Sequence, residues 1–174
     1  MIEKHPLDKS QVRKTTLDNG LKAYLLSDPA FNKSAASMCV GVGSLQDPKT
    51  RQGLAHFLEH MLFLGTEKYP DVDEYSTYLR NNGGMSNAYT AADHTNYQFQ
   101  VFPDAFEGAL DRFAQFFIAP LFTAEYTDRE KNAVHSEYQK NKMNDNWREQ
   151  QIVFSFVRDG HPQQKFNIGN METL

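Results

Sequence analysis

The sequence has a single cysteine, Cys39, among 174 residues, which excludes an internal disulfide framework. A lone thiol is compatible with the cytoplasm, or with a periplasmic protein that needs no disulfides. No run of about 18 apolar residues occurs, so we predict no membrane span. The net charge is only −4 and no basic cluster alternates with aromatic residues, which argues against nucleic-acid binding. What remains is the composition of a globular domain, 40% hydrophobic, with enough length for one sizeable core.

One apolar stretch, residues 53–65, contains three ionisable side chains in the pattern His56-x-x-Glu59-His60. We predict a helix that begins after Gly53 and is buried nearly all round. On a helix the two histidines lie one turn apart on one face, with Glu59 beside them. Two imidazoles at this spacing can bind one zinc ion. The adjacent carboxylate can act as general base toward water on the metal.

The order of these residues is the inverse of the common His-Glu-x-x-His motif of zinc proteases. The alternative is a core helix that carries two hydrogen-bonded histidines and a surface glutamate by chance. Large apolar neighbours favour the metal interpretation, because ionisable groups in such surroundings need partners.

Turn residues and apolar periodicity predict an α+β fold, with an antiparallel sheet flanked by helices. Strands are predicted at 21–26, 35–42, 85–90 and 95–102, with a hairpin turn at Asn19-Gly20. Helices are predicted from residue 54, at 71–82, from residue 103, at 124–144 and at 147–159. We expect the strand at 35–42 to be central and Gly41-Val42-Gly43-Ser44 to pass close to the metal helix. Thr127 and Glu130 have the spacing of an internal capping pair.

A catalytic zinc site usually has three protein ligands and keeps one position for water. By residue type, the candidates for the third ligand are Glu67, Asp71, Asp93, His94, Glu130, His135 and Glu137. Glu130 and Glu137 are two helical turns apart on one face, a rise of about 10.5 Å, so both cannot easily bind one ion. One of them can be a ligand while the other supports a ligand through a hydrogen bond. The spacing does not decide between them, and either alone would also suit a solvated helix face.

The motif His56-Phe57-Leu58-Glu59-His60, followed by Glu137, resembles the inverted-zincin peptidases of the pitrilysin/insulysin family, most closely its insulysin-like branch. The stretches at 53–55, 61–66, 83–88, 94–97 and 132–137 also resemble that family, so the resemblance covers about residues 16–174. It implies a zinc-dependent endopeptidase that hydrolyses peptides or small proteins. It further implies Glu137 as the third zinc ligand, Glu59 as the catalytic base and Glu130 as the supporting acid.

The same resemblance implies that Ser86-Asn87-Ala88 is an edge strand to which a peptide substrate adds through its backbone. A strand edge offers unpaired N–H and C=O groups, which gives this role physical sense, although an ordinary or covered strand is the alternative. His135 departs from the family, in which an acid is common at this position, and we expect it to be a surface side chain.

The family's enzymes are two clamshell halves, each built of two α+β modules. We therefore expect residues 1–174 to be a single N-terminal zinc peptidase module of a much longer chain. The C-terminal modules of the same enzyme would then supply an arginine and a tyrosine that hold substrate and the developing oxyanion. Loss of such support usually lowers the rate of catalysis by about 10²–10³, so the module alone should be weak or inactive. The rival classes are a non-catalytic scaffold subunit and a purely structural zinc site.

Overall fold

The computed structural model describes residues 4–174, and this part of the chain has five strands and five helices. Strands β1 (Gln11–Thr16) and β2 (Lys22–Ser27) form an antiparallel hairpin. The turn between them contains Gly20 with a φ of 87°, a left-handed conformation that glycine adopts without strain. The predicted hairpin at Asn19-Gly20 is therefore confirmed.

A second, three-stranded antiparallel sheet has the order β3-β5-β4. Its strands are β3 (Ser34–Val40), β4 (Met85–Thr90) and β5 (Thr95–Val101). The prediction that the strand at 35–42 is central is wrong for this sheet, because β3 lies at an edge and β5 in the middle. An alternation of apolar residues indicates which face of a strand is buried, but it does not indicate whether the strand lies in the middle or at the edge of its sheet.

The helices are α1 (Leu54–Met61), α2 (Glu74–Asn81), α3 (Phe106–Gln115), α4 (Ala124–Asn141) and α5 (Asp145–Ser155). Helices α2 and α3 pack on the three-stranded sheet and enclose a largely aromatic core. Its buried members include Tyr75, Leu79, Tyr97, Phe99, Val101, Phe113 and Phe116. Together these elements confirm the predicted α+β fold with antiparallel sheets. None of the helices described is long and apolar enough to cross a membrane.

Helix α1 differs from its prediction in one respect. It begins after Gly53, as expected, but it is not buried all round, since Leu54 and Leu58 are 41% and 43% exposed. The helix packs against α4 and the sheet on the side of its polar residues, and the opposite side faces outward. The expected approach of the loop at 41–44 to this helix is confirmed at its end, because the 3-10 turn Ser44–Gln46 contacts α1. At Gly43 itself the loop passes the β4–β5 turn, since a Cβ atom there would lie 2.4 Å from the carbonyl oxygen of Ala91.

Candidate metal centre

Helix α1 is fixed at its N-terminus by a buried carboxylate that lies before it in the sequence. Asp47 accepts hydrogen bonds from the backbone N–H groups of Gly53, at 2.7 Å, and Ala55, at 2.8 Å. These N–H groups have no partner within the helix, so Asp47 takes the place of an N-cap side chain. Burial raises the pKa of Asp47, although both hydrogen bonds oppose that shift. Sequence reasoning missed this residue because it lies outside the usual N-cap position.

Helix α4 crosses α1 and brings a third metal-binding side chain to the two histidines. The Nε2 atoms of His56 and His60 are 3.2 Å apart. The Oε2 atom of Glu137 lies 3.6 Å from the first of these nitrogens and 3.5 Å from the second. Ligands at about 2.0–2.1 Å from a tetrahedral zinc ion are about 3.3 Å from one another. The three donors therefore have the chemistry and the mutual spacing of a zinc site.

Each histidine has a hydrogen-bond partner on the nitrogen that faces away from the three donors. Nδ1 of His60 lies 2.7 Å from Oε1 of Glu130, and Nδ1 of His56 lies 2.7 Å from the carbonyl oxygen of Ile168. Such partners fix the ring orientation and the tautomer that leaves Nε2 free for a metal. Sequence reasoning pointed to Glu130 but not to Ile168, because a backbone carbonyl leaves no signal in the sequence.

The carboxylates also change the protonation of His60. Burial lowers the pKa of its imidazole, but the hydrogen bonds with Glu130 and Glu137 outweigh burial and raise the pKa to about 9. The hydrogen bond with His60 lowers the pKa of Glu137. The predicted capping pair of Thr127 and Glu130 does not form. The side chain of Glu130 is hydrogen-bonded to His60, and the hydroxyl of Thr127 donates to the carbonyl of Thr123.

Glu59 lies beside the three donors but is not one of them. Its side chain is buried, and its Oε2 accepts a hydrogen bond of 2.6 Å from the hydroxyl of Thr90, at the end of β4. It lines a cavity of about 380 Å³ together with His56, His60 and Glu137. Thr90 is a third residue that sequence reasoning missed, since only the fold brings β4 to α1.

The predicted substrate strand lies next to this cavity. Residues Ser86-Asn87-Ala88 belong to β4, which is an edge strand of the sheet, so the prediction of an edge is confirmed. Asn87 and Ala88 line the cavity that contains Glu59, whereas Ser86 does not.

Among the residues described, the remaining candidates for a third ligand do not join the donor group. His94 pairs with Asp93 at 2.7 Å. His135 is half-buried rather than fully on the surface, and its Nδ1 accepts a hydrogen bond from the backbone N–H of Met171 at 3.4 Å. Glu67 and Asp71 lie on the loop between α1 and α2, outside the group.

The chain is thus an α+β module with a candidate metal centre. A family model for Insulinase (Peptidase family M16) matches residues 22–165 of the chain. The chain therefore belongs to the insulinase family of peptidases, as its sequence motifs indicated.

Individual relatives agree with this assignment. The chain is 53% identical over 173 residues to the insulin-degrading enzyme of Homo sapiens, a match that covers 99% of this chain and 17% of that enzyme. It is 49% identical over 168 residues to a Schizosaccharomyces pombe protein whose name includes the words zinc protease, covering 97% of this chain and 17% of that protein. The crystal structure of pitrilysin matches 99% of the chain with a TM-score of 0.95 and 42% identity, over 18% of its own chain. The chain thus spans less than a fifth of the length of these relatives.

Proposed function

We propose that this chain is the catalytic N-terminal module of a zinc-dependent endopeptidase that hydrolyses peptides or small proteins. The observation that carries the proposal is the spacing of three donor atoms, 3.2–3.6 Å apart, beside a buried carboxylate that is not among them. A structural zinc site is usually closed by four protein ligands, commonly cysteines. A set of two histidines and one glutamate instead leaves a position for water.

His56, His60 and Glu137 are the residues that would hold the metal. Two histidines and a glutamate are a ligand set found in catalytic zinc sites of peptidases. When bound, zinc supplies a Lewis acid and lowers the pKa of a coordinated water to about 7. Glu130 keeps the ring of His60 in place through its hydrogen bond to Nδ1.

Glu59 is the proposed general base. Its carboxylate lines the same cavity as the three donors, so it can accept a proton from the attacking water and deliver that proton to the leaving amine. The hydroxyl of Thr90 donates to Oε2 of Glu59 and so restricts the rotation of the carboxylate.

The substrate is proposed to lie along β4. This edge strand has unpaired backbone groups on its outer side, and an extended peptide can pair with them as a further strand. Backbone pairing tolerates many side chains, which suits a peptidase with varied peptide substrates. Asn87 and Ala88 would then hold the peptide next to Glu59.

The module is proposed to act together with C-terminal modules of the same enzyme. Relatives that match over 17–18% of their length have most of their sequence beyond the matched region. An arginine and a tyrosine from such modules would stabilise the developing oxyanion, in line with the family resemblance. Activity is therefore best measured on the full-length enzyme.

The substitution Glu59→Gln in the full-length enzyme tests this function. We expect the variant to retain one zinc ion per chain, because Glu59 is not a ligand, and to lose peptide hydrolysis, because an amide cannot take up the proton. Zinc is measured by elemental analysis and hydrolysis with a fluorogenic peptide. Glu107→Gln on the exposed side of α3 is the matched control and should behave like the parent.

Two outcomes would contradict the proposal. Hydrolysis by the Glu59→Gln variant at the parental rate would remove the base assignment. A parent enzyme that contains no stoichiometric zinc and cleaves no peptide would favour the alternative, a non-catalytic scaffold subunit.

A further inference from the structure

A short segment near the end of the described chain lies across the start of the metal helix. We name it the strap and define it as residues 165–169, which follow the 3-10 turn Pro162–Gln164. Ile168 and Gly169 within it are buried. Buried backbone without helix or strand needs hydrogen-bond partners, and the strap finds them in residues around the candidate metal centre.

The strap provides the hydrogen-bond acceptor for one of the two histidines. The carbonyl oxygen of Ile168 lies 2.7 Å from Nδ1 of His56, a distance at which the ring N–H donates to the carbonyl. With Nδ1 protonated, the lone pair of His56 is on Nε2, the atom that faces His60 and Glu137. Glu130 does the same for His60 with a side chain, so the two rings are held by different kinds of partner.

Hydrogen bonds to residues that precede α1 anchor the strap. The Lys165 ammonium donates to the carbonyl oxygens of Leu45, at 2.6 Å, and Asp47, at 2.5 Å. The side-chain oxygen of Gln52 accepts from the backbone N–H of Phe166 at 2.6 Å. These bonds fix the strap to the loop and the residue that immediately precede the metal helix.

Close backbone packing completes this attachment. A Cβ atom at Gly53 would lie 2.2 Å from Cα of Gly169, so only glycine fits at the point where the strap meets the start of α1. Gly53 also has a φ of 90°, which a residue with a side chain rarely adopts.

The strap also touches the helix that carries the third donor. The ring of Phe166 lies 5.2 Å from that of Tyr138 in an edge-to-face arrangement. Tyr138 follows Glu137 directly on α4. The same short segment thus contacts the helix of His56 and His60 and the helix of Glu137.

We propose that the strap positions the metal centre: it fixes the tautomer of His56 and sets the separation of α1 and α4, with Lys165 and Gln52 as positioning residues. This inference rests on the proposed function, since it assumes that the three donors bind zinc. Neither residue touches a donor atom, and both act through the carbonyl of Ile168 and the packing of Phe166.

The test is the substitution Lys165→Met in the full-length enzyme. This change keeps the aliphatic stem and removes the hydrogen bonds to the carbonyls of Leu45 and Asp47. Zinc affinity is measured by competition with a chromophoric chelator, and ligand geometry by the visible absorption of the Co²⁺-substituted enzyme. We expect zinc affinity to fall about tenfold, the lower end of the effect of losing support behind a metal ligand, and the Co²⁺ spectrum to change. Lys165→Arg, which keeps donors, should restore both values, and Lys22→Met on the exposed part of β2 is the matched control.

A second variant, Gln52→Leu, removes the hydrogen bond to the backbone N–H of Phe166. It tests the inference with the same two measurements if Lys165→Met does not fold. The inference is overturned if the folded variants bind zinc within twofold of the parent with an unchanged Co²⁺ spectrum. It is also overturned if they lose thermal stability while affinity and spectrum stay the same, because the strap would then be merely structural. A parent enzyme that binds no zinc refutes the proposed function itself, so the two failures are distinguishable.

Discussion

Glu130 offers the sharpest test of how the carboxylates support the metal centre. Its Oε1 lies 2.7 Å from Nδ1 of His60, and its side chain is only 15% exposed. In Glu130→Gln the amide oxygen can still accept this hydrogen bond, but the negative charge is lost. A hydrogen bond to a charged group contributes about 1.5–3 kcal/mol and a neutral one about 0.5–1.5 kcal/mol. The difference is about 1.4 kcal/mol, so we expect zinc affinity to fall about tenfold.

The pH of the measurement decides how much of this loss is seen. Glu130 stabilises a proton on His60 as well as a metal, because hydrogen bonds with Glu130 and Glu137 raise the pKa of His60 to about 9. Below that pH the substitution also weakens the binding of the proton that competes with zinc for His60, so the two effects partly cancel. The full loss should therefore appear at about pH 9.5, with a smaller one at pH 7.

The assay is chelator competition at both pH values, with Asp128→Asn on the same helix as the control. Asp128 is exposed, so its variant has the same change in charge without contact to the centre. Equal affinities for Glu130→Gln and the parent at pH 9.5, within twofold, would refute the reasoning.

Three further predictions concern the base, the pH dependence of stability and the pH dependence of zinc affinity. Thr90→Val removes the hydroxyl that lies 2.6 Å from Oε2 of Glu59. We expect kcat to fall about tenfold with zinc content unchanged. A parental kcat would show that the hydroxyl does not orient the base. In the metal-free protein the pKa of His60 is raised from 6.5 to about 9. Its contribution to the free energy of unfolding is therefore fully present below pH 6.5 and lost as pH rises through 9. Thermal unfolding in the presence of a chelator measures this dependence. Zinc must displace that proton, so zinc affinity should rise about tenfold per pH unit up to about pH 9, and a flat profile would contradict the raised pKa.

The sequence was informative about the centre where its geometry is local. His56, Glu59 and His60 share one helical turn, so their spacing alone predicted two donors and a neighbouring carboxylate. The spacing of Glu130 and Glu137 left open which of them approaches the ion. The fold resolves their positions, because α4 crosses α1 so that one carboxylate lies at Nδ1 of His60 and the other near its Nε2.

Other parts of the fold could not be predicted because they depend on which elements become neighbours. The apolar pattern of β3 matched a central strand, yet the larger side chains of β5 occupy the middle of the sheet. Ile168 supports His56 through a backbone carbonyl from a distant part of the chain, and the side chain of Asp47 binds backbone N–H groups at the start of the metal helix. No periodicity or motif encodes such contacts, since each needs only one polar atom at the right place.

Strand β4 connects two parts of the proposed mechanism. Its last residue, Thr90, donates to Glu59, and its middle residues Asn87 and Ala88 line the same cavity. Under the proposed function, a peptide that pairs with β4 would be held by the strand whose Thr90 is hydrogen-bonded to Glu59. β4 is hydrogen-bonded to β5 along its whole length, and β5 is buried in the aromatic core, so β4 is a firmly held strand. In the proposed mechanism this sheet would fix the distance between the scissile bond and Glu59, as proximity effects in catalysis require.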